Sequence, residues 1–268
     1  MLKRMPPESG VLVYIDFAAL RHSGILELLT GSPADQDSEY REFVRKTEFD
    51  YKRDLDAALL AFAPSGKFFL LKGRFDWKSL RTYAIDENGN CYNSLCRMQG
   101  SVPDRRISFF PVQAGVMALA VSADDSAVLR LTSPRADADP ETPDAPVWLS
   151  ISPSVLKSGE GVPDGARMFT RSMERAETVT LAFVPDGNRL AAKLNVRCRN
   201  GQDASELASE LVRTTSLLRS MISSEHQNPN PSDLSGVLTS GSFRTEGRRV
   251  LGYWPIERSF VEALLSGG

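Results

Sequence analysis

The feature that most restricts the fold is a pattern used twice. Val11–Leu20 (VLVYIDFAAL) and Val147–Leu156 (VWLSISPSVL) align without a gap. Each is an apolar extended run, then a helix-capping residue (Asp16 or Ser152), then a short helical stretch. Asp and Ser suit that position because their oxygens accept the orphan N–H groups of a first helical turn. Pro153 then falls at the first helical position, where its missing donor costs nothing.

Two further pairs follow in the same order. Ala61–Lys67 (AFAPSGK) matches Ala182–Asn188 (AFVPDGN), an apolar strand end followed by Pro-x-Gly. Proline presets φ and glycine tolerates positive φ, so both read as hairpin turns. Phe75–Leu80 (FDWKSL) then matches Gln202–Leu207 (QDASEL), with Asp76 and Asp203 as the expected caps and Glu206 closing a D-x-x-E box. The second of these opens the clearest helix in the chain: Ala204, Leu207, Ala208, Leu211, Val212, Thr215, Leu218 and Ile222 recur at i, i+3, i+4 spacing. Strands are expected afterwards at Ile107–Phe110, Gly115–Ser122 and Ala127–Leu131 in the first half. In the second they are expected at Gly236–Phe243 and Arg248–Trp254, with a closing helix from Ile256 to Leu265.

The pattern predicts an α+β protein of two tandem related halves. Each would be an antiparallel sheet with helices on one face, in a ferredoxin-like β-α-β-β-α-β order with extra strands. Residues 1–133 form the first repeat and 147–268 the second. The join, 134–146, is rich in proline and aspartate and reads as a linker or exposed loop.

Composition narrows the function classes. With 41% hydrophobic and 25% charged residues over 268 positions, the chain can bury an ordinary core without a metal or disulfide. Its 32 basic and 34 acidic residues make no polycation, so phosphate neutralisation gives no support for a nucleic-acid partner. No apolar run reaches the roughly 18–20 residues of a membrane helix. Met1–Gly10 is basic but lacks the apolar core of a signal peptide. The protein as numbered is expected in the cytoplasm, or in the periplasm or envelope if an export signal precedes this numbering.

Thr47–Asp56 (TEFDYKRDLD), Gly73–Asp76 (GRFD), and MPPES ahead of a strand ending in Asp16 carry a resemblance. Together they resemble an uncharacterised family of bacterial proteins, many of them exported or lipid-anchored. The resemblance lies mainly in the first half. It implies export and transfers no catalytic residue, since the family has no assigned activity.

The residues offer little recognisable chemistry. The two histidines, His22 and His226, have no neighbouring pattern of a nucleophile and an orienting acid. No nucleophile elbow, phosphate cradle or dinucleotide fingerprint occurs. Cys91, Cys96 and Cys198 are odd in number, and one C-x4-C without a second cluster is not a zinc site; half-buried thiols are expected. Thr239–Arg249, with Arg244, Arg248 and Arg249, reads as a hairpin with a charged face, and Trp77, Trp148, Tyr253 and Trp254 read as packing residues. Asp50, Asp54 and Asp56 alternate with Lys52 and Arg53, which favours ion pairing over a bound cation.

No catalytic residue, metal ligand or cofactor is assigned. One polar cluster stands as a candidate site: Asp54, Asp56, Arg74 and Asp76. The expected function is non-enzymatic binding or scaffolding, with a protein or small-molecule ligand at the interface of the halves. The alternative is a hydrolase or transferase using that carboxylate–arginine cluster.

Overall fold

The computed structural model describes residues 1–23, 26, 38–100, 102, 104–135, 142–158, 172–173, 176–187, 189–224 and 228–265. The chain is of the mixed α+β class and divides into two compact units, Met1–Thr142 and Pro143–Gly268. Residues 136–141 of the expected linker, and His226, lie outside the described residues.

In the first unit, β1 (Val11–Asp16) runs directly into α1 (Phe17–His22). Asp16 caps that helix, its Oδ1 accepting the Ala19 N–H at 2.8 Å. Then come α2 (Ser38–Thr47) and the one-turn α3 (Tyr51–Asp54), followed by the hairpin β2 (Leu55–Ala63) and β3 (Gly66–Gly73). Next is α4 (Trp77–Asp86), and then four strands: β4 (Asn90–Tyr92), β5 (Leu95–Gln99), β6 (Arg106–Gln113) and β7 (Val116–Ser122). Within this unit the strands lie side by side as β1-β2-β3-β7-β6-β5-β4, antiparallel throughout.

Both faces of this sheet are covered, which is why β2 and β3 read as nearly continuous apolar runs. On one face Leu80 and Ala84 of α4 pack with Cys96, Phe109 and Met117. On the other, Phe68 and Leu70 are fully buried beside Ala118 and Ala120. That second face meets Ala127–Leu131, which was expected as a strand and is instead a 3-10 helix. The turn that precedes it explains the winding: Ser126 N–H donates to Asp124 Oδ1 at 2.9 Å, starting a helical path. Val128 and Leu131, three apart and so eclipsed on a 3-10 helix, are both 0% exposed. The expectation of helices on one face alone is corrected accordingly.

The N-terminal segment is tied to the same region. Arg135 N–H donates to Lys3 O at 2.7 Å, and the Arg4 guanidinium donates to the carbonyls of Leu131 and Thr132. Met5 is buried, and Glu8 pairs with Arg130, whose guanidinium lies 5.4 Å above the Phe68 ring.

The second unit begins with β8 (Val147–Ile151) and α5 (Pro153–Ser158), where the Ser152 carbonyl accepts from Val155 and Leu156. The hairpin β9 (Thr178–Asp186) and β10 (Arg189–Arg197) leads into α6 (Gly201–Ser224). After it come α7 (Leu234–Thr239), β11 (Ser242–Glu246), β12 (Arg249–Ile256) and α8 (Arg258–Leu265). The strand order is β8-β9-β10-β12-β11, again antiparallel. Ala204, Leu207 and Leu211 of α6 pack on Val179, Leu194, Val196, Val250 and Trp254.

Several sequence expectations need correction. The ferredoxin-like arrangement does not hold, because consecutive strands β1-β2-β3 and β8-β9-β10 pair with each other as antiparallel meanders. In a split β-α-β unit another strand would lie between the first two. The stretch expected as a strand from Gly236 is the helix α7, because Asp233 Oδ1 takes the N–H groups of Ser235 and Gly236 at 2.8 and 3.3 Å. The cap of α6 is Asn200, whose Oδ1 accepts from Asp203 N–H at 2.8 Å, while Asp203 pairs with Arg199. The closing helix starts at Arg258, since Ile256 still belongs to β12.

The two Pro-x-Gly corners are both hairpins but differ in phase. Ala63 pairs with Gly66 across Pro64–Ser65, whereas β9 runs through Pro185 to pair Asp186 with Arg189. Proline is tolerated there because the β8–β9 ladder stops at Phe183, so its missing N–H leaves no bond unmade on that side.

Candidate functional site

The four residues singled out in the first unit separate into three structural roles. Asp54 ends α3, with its side chain 11% exposed. Its carboxylate accepts the Asp50 N–H at 3.0 Å, Arg53 Nη2 at 2.8 Å and Arg74 Nη2 at 3.1 Å. The backbone closes the same junction: Arg74 N–H donates to Asp54 O at 2.8 Å, and Arg74 Nη2 to Arg53 O at 2.7 Å. Gly73 is required here, since a Cβ on it would lie 2.2 Å from the Asp54 carbonyl oxygen. The bound Arg53 guanidinium holds the Asp54 carboxyl below its ordinary range, against the opposing effect of burial.

Asp56 belongs to a different contact. It lies in the irregularity between Leu55 and Ala57, where the register of β2 shifts. It pairs at 3.3 Å with Arg21, which also donates to Lys52 O and Leu55 O at 3.0 and 2.6 Å. Asp76 caps α4: its carboxylate accepts Lys78 N–H at 2.9 Å, Ser79 N–H at 3.3 Å and the Ser79 hydroxyl at 2.9 Å. Those bonds, the Ser79 hydroxyl first, lower its pKa. The structure thus joins Asp54 to Arg74 and gives Asp56 and Asp76 other partners. Asp50, the third acid of that stretch, caps α3 and accepts the Tyr40 hydroxyl at 3.1 Å.

A polar network that sequence reasoning missed lies in the second unit. The Tyr253 hydroxyl donates to Asp186 Oδ2 at 2.5 Å, and Arg189 Nε reaches the same oxygen at 3.1 Å. Arg189 Nη1 donates to Glu257 Oε1 at 3.1 Å, and Nη2 to the Tyr253 hydroxyl at 3.3 Å. The Tyr253 hydrogen bond, then Arg189, lowers the Asp186 pKa, and the same bond raises that of Tyr253. Only the β10–β12 register brings these positions together; the one sequence hint is the turn chemistry around Asp186.

Glu257 also lines a groove of about 300 Å³ with Pro229, Pro231, Val237, Thr239, Ser240 and Pro255. Its wall depends on Gly236, where a Cβ would lie 2.1 Å from the Asn230 carbonyl oxygen. The volume is at the lower end of the usual range for ligand sites.

The cysteine expectation is corrected. Cys91 and Cys96 form a disulfide rather than standing as thiols, because the β4–β5 register sets them directly opposite one another with Cα atoms 4.0 Å apart. Cys198 is free and buried, and burial raises its pKa. Trp148 and Trp254 are buried, Trp77 packs in the first core, and His22 hydrogen-bonds within α1 to Ala18 O. Among the described residues no group of three or more His, Cys, Asp or Glu is placed to hold a metal, and no helix is long and apolar enough to cross a membrane.

Fold and site together define a mixed α/β protein built on antiparallel sheets, with polar clusters bonded internally and a small groove in the second unit. No family model matches the chain, and no curated protein matches it. Solved structures do. Three crystal forms of TP0453 superpose with TM-scores of 0.54 (form I), 0.53 (form III) and 0.52 (form IV), at 12% identity. Each match covers 99% of this chain and 95–97% of that one. At that identity the similarity is one of fold.

Proposed function

We propose that this chain is a non-enzymatic binding protein whose ligand seats in the proline-lined groove of the second unit. The groove itself carries the reading. Three prolines, Pro229, Pro231 and Pro255, fix much of its wall before any ligand arrives, so little ordering entropy opposes binding. Val237 adds apolar surface, and Glu257 is held in place by Arg189. A small, uncharged, largely apolar ligand suits that lining.

Asp54, Asp56, Arg74 and Asp76 serve in this proposal as ties between elements. Their oxygens and guanidinium protons are engaged by backbone and side-chain partners of the fold. The two units are read as copies of one β-α-β-β-α-β-β module with its join in residues 134–146. Support comes from the matching strand orders β1-β2-β3-β7-β6 and β8-β9-β10-β12-β11, with the β4–β5 hairpin as an addition to the first.

A library of small apolar fragments, followed by nitrogen–proton correlation spectra, tests the binding reading. Hits are expected to shift the amides of Gly236, Val237, Thr239 and Ser240, and Gly236→Ala is expected to abolish them. Fragments that perturb other surfaces while leaving these amides unmoved refute it.

A further inference from the structure

The β4–β5 hairpin is the outermost part of the first unit's sheet and is weakly held. β4 has three residues, with Tyr92 at 73% exposure, and β5 pairs with β6 through four positions, Cys96 to Gln99. Its turn places Asn93 and Ser94 at φ of 46° and 67°, left-handed conformations that suit a tight hairpin but are not favoured by serine. An isolated two-stranded hairpin is marginal in water. Against this stand the packing of Cys96 and Met98 on Leu80, Ala84 and Phe109, the ion pair of Arg97 with Asp125 at 3.7 Å, and the bond between Cys91 and Cys96.

We propose that this disulfide is a redox-sensitive staple: it forms in an oxidising compartment, and its reduction by a dithiol loosens the β4–β5 hairpin while the rest of the unit stays folded. The two sulfurs differ in access. Cys91 is half-buried, whereas Cys96 is 0% exposed, so an incoming thiolate meets Cys91 first. Attack there forms a mixed disulfide with Cys91 and expels Cys96 as a thiolate, which takes up a proton. The second thiol of the reductant then displaces Cys91, which leaves as a thiolate and is protonated. The protein gains two electrons and two protons, and the dithiol becomes a disulfide. Cys198, buried with a raised pKa, takes no part. Disulfides persist in secreted and envelope compartments and are rare where glutathione and thioredoxin act.

Thiol counting tests the first half of the proposal. The full chain, recovered from its native cells without reductant and alkylated on denaturation, is expected to show one reactive cysteine; three would overturn it. Hydrogen exchange tests the second half. On treatment with dithiothreitol, amides of residues 90–99 are expected to exchange at least about tenfold faster, with β2, β3 and β7 unchanged. The Cys91→Ala/Cys96→Ala double variant is expected to match the reduced protein. Unchanged protection of the hairpin, or acceleration spread evenly across the first unit, overturns the staple.

Discussion

Replacing Asp54 with alanine isolates the tie at the entrance to β2. The change removes the acceptor of the half-buried Asp50 N–H and the shared partner of Arg53 and Arg74. An orphaned buried donor costs roughly 1–3 kcal/mol. The two guanidinium groups are 63% and 71% exposed and return to water, so their pairing adds little. The expected loss is therefore about 1–3 kcal/mol, or roughly 3–12 °C in the melting temperature of a unit this size. Near-ultraviolet circular dichroism on heating at neutral pH measures it.

Acid provides an internal control on the same variant. The folded carboxyl has a depressed pKa, so its stabilisation is complete above the unfolded aspartate value of about 3.9 and disappears as pH falls through the folded value. The gap between the native chain and Asp54→Ala is expected to narrow below about pH 4. A gap under about 0.5 kcal/mol at neutral pH, or one that persists undiminished at about pH 2, refutes the tie.

Other outcomes follow from packing, each read by urea denaturation. Leu211→Ala, at a position 0% exposed beneath the second sheet, is expected to cost about 2–5 kcal/mol. Gly73→Ala forces a methyl against the Asp54 carbonyl oxygen and is expected to destabilise by about 1–3 kcal/mol. Ser108→Ala is expected to be neutral or stabilising by up to ~1 kcal/mol, since that buried hydroxyl has no hydrogen-bond partner.

What the sequence revealed was what short-range chemistry determines. The caps at Asp16 and Asp76 and the periodic run from Ala204 to Ile222 were readable because partners lie within four residues. Ala127–Leu131 and Gly236–Thr239 have the apolar content of strands, and the Asp124 and Asp233 turns that wind them into helices outweigh it. The β4–β5 hairpin carries no glycine in its turn, so neither the strands nor the cysteine pairing announced itself. Strand order and the Asp186–Tyr253 contact, 67 residues apart in the chain, depend on non-local register. At the candidate cluster, Asp54 and Arg74 meet because a hairpin folds one onto the other, and the register shift at Asp56 turns it towards Arg21.

The lacing of Lys3 and Arg4 to Leu131, Thr132 and Arg135 makes the first unit a nearly closed ring of chain. Its order of synthesis is then free to change, since units whose ends already touch tolerate circular permutation. A gene that splices residue 135 to residue 2 through a short flexible linker, and opens at the exposed Asn93–Ser94 tip, is expected to yield the same sheet. The new ends would stay tethered to each other through Cys91 and Cys96.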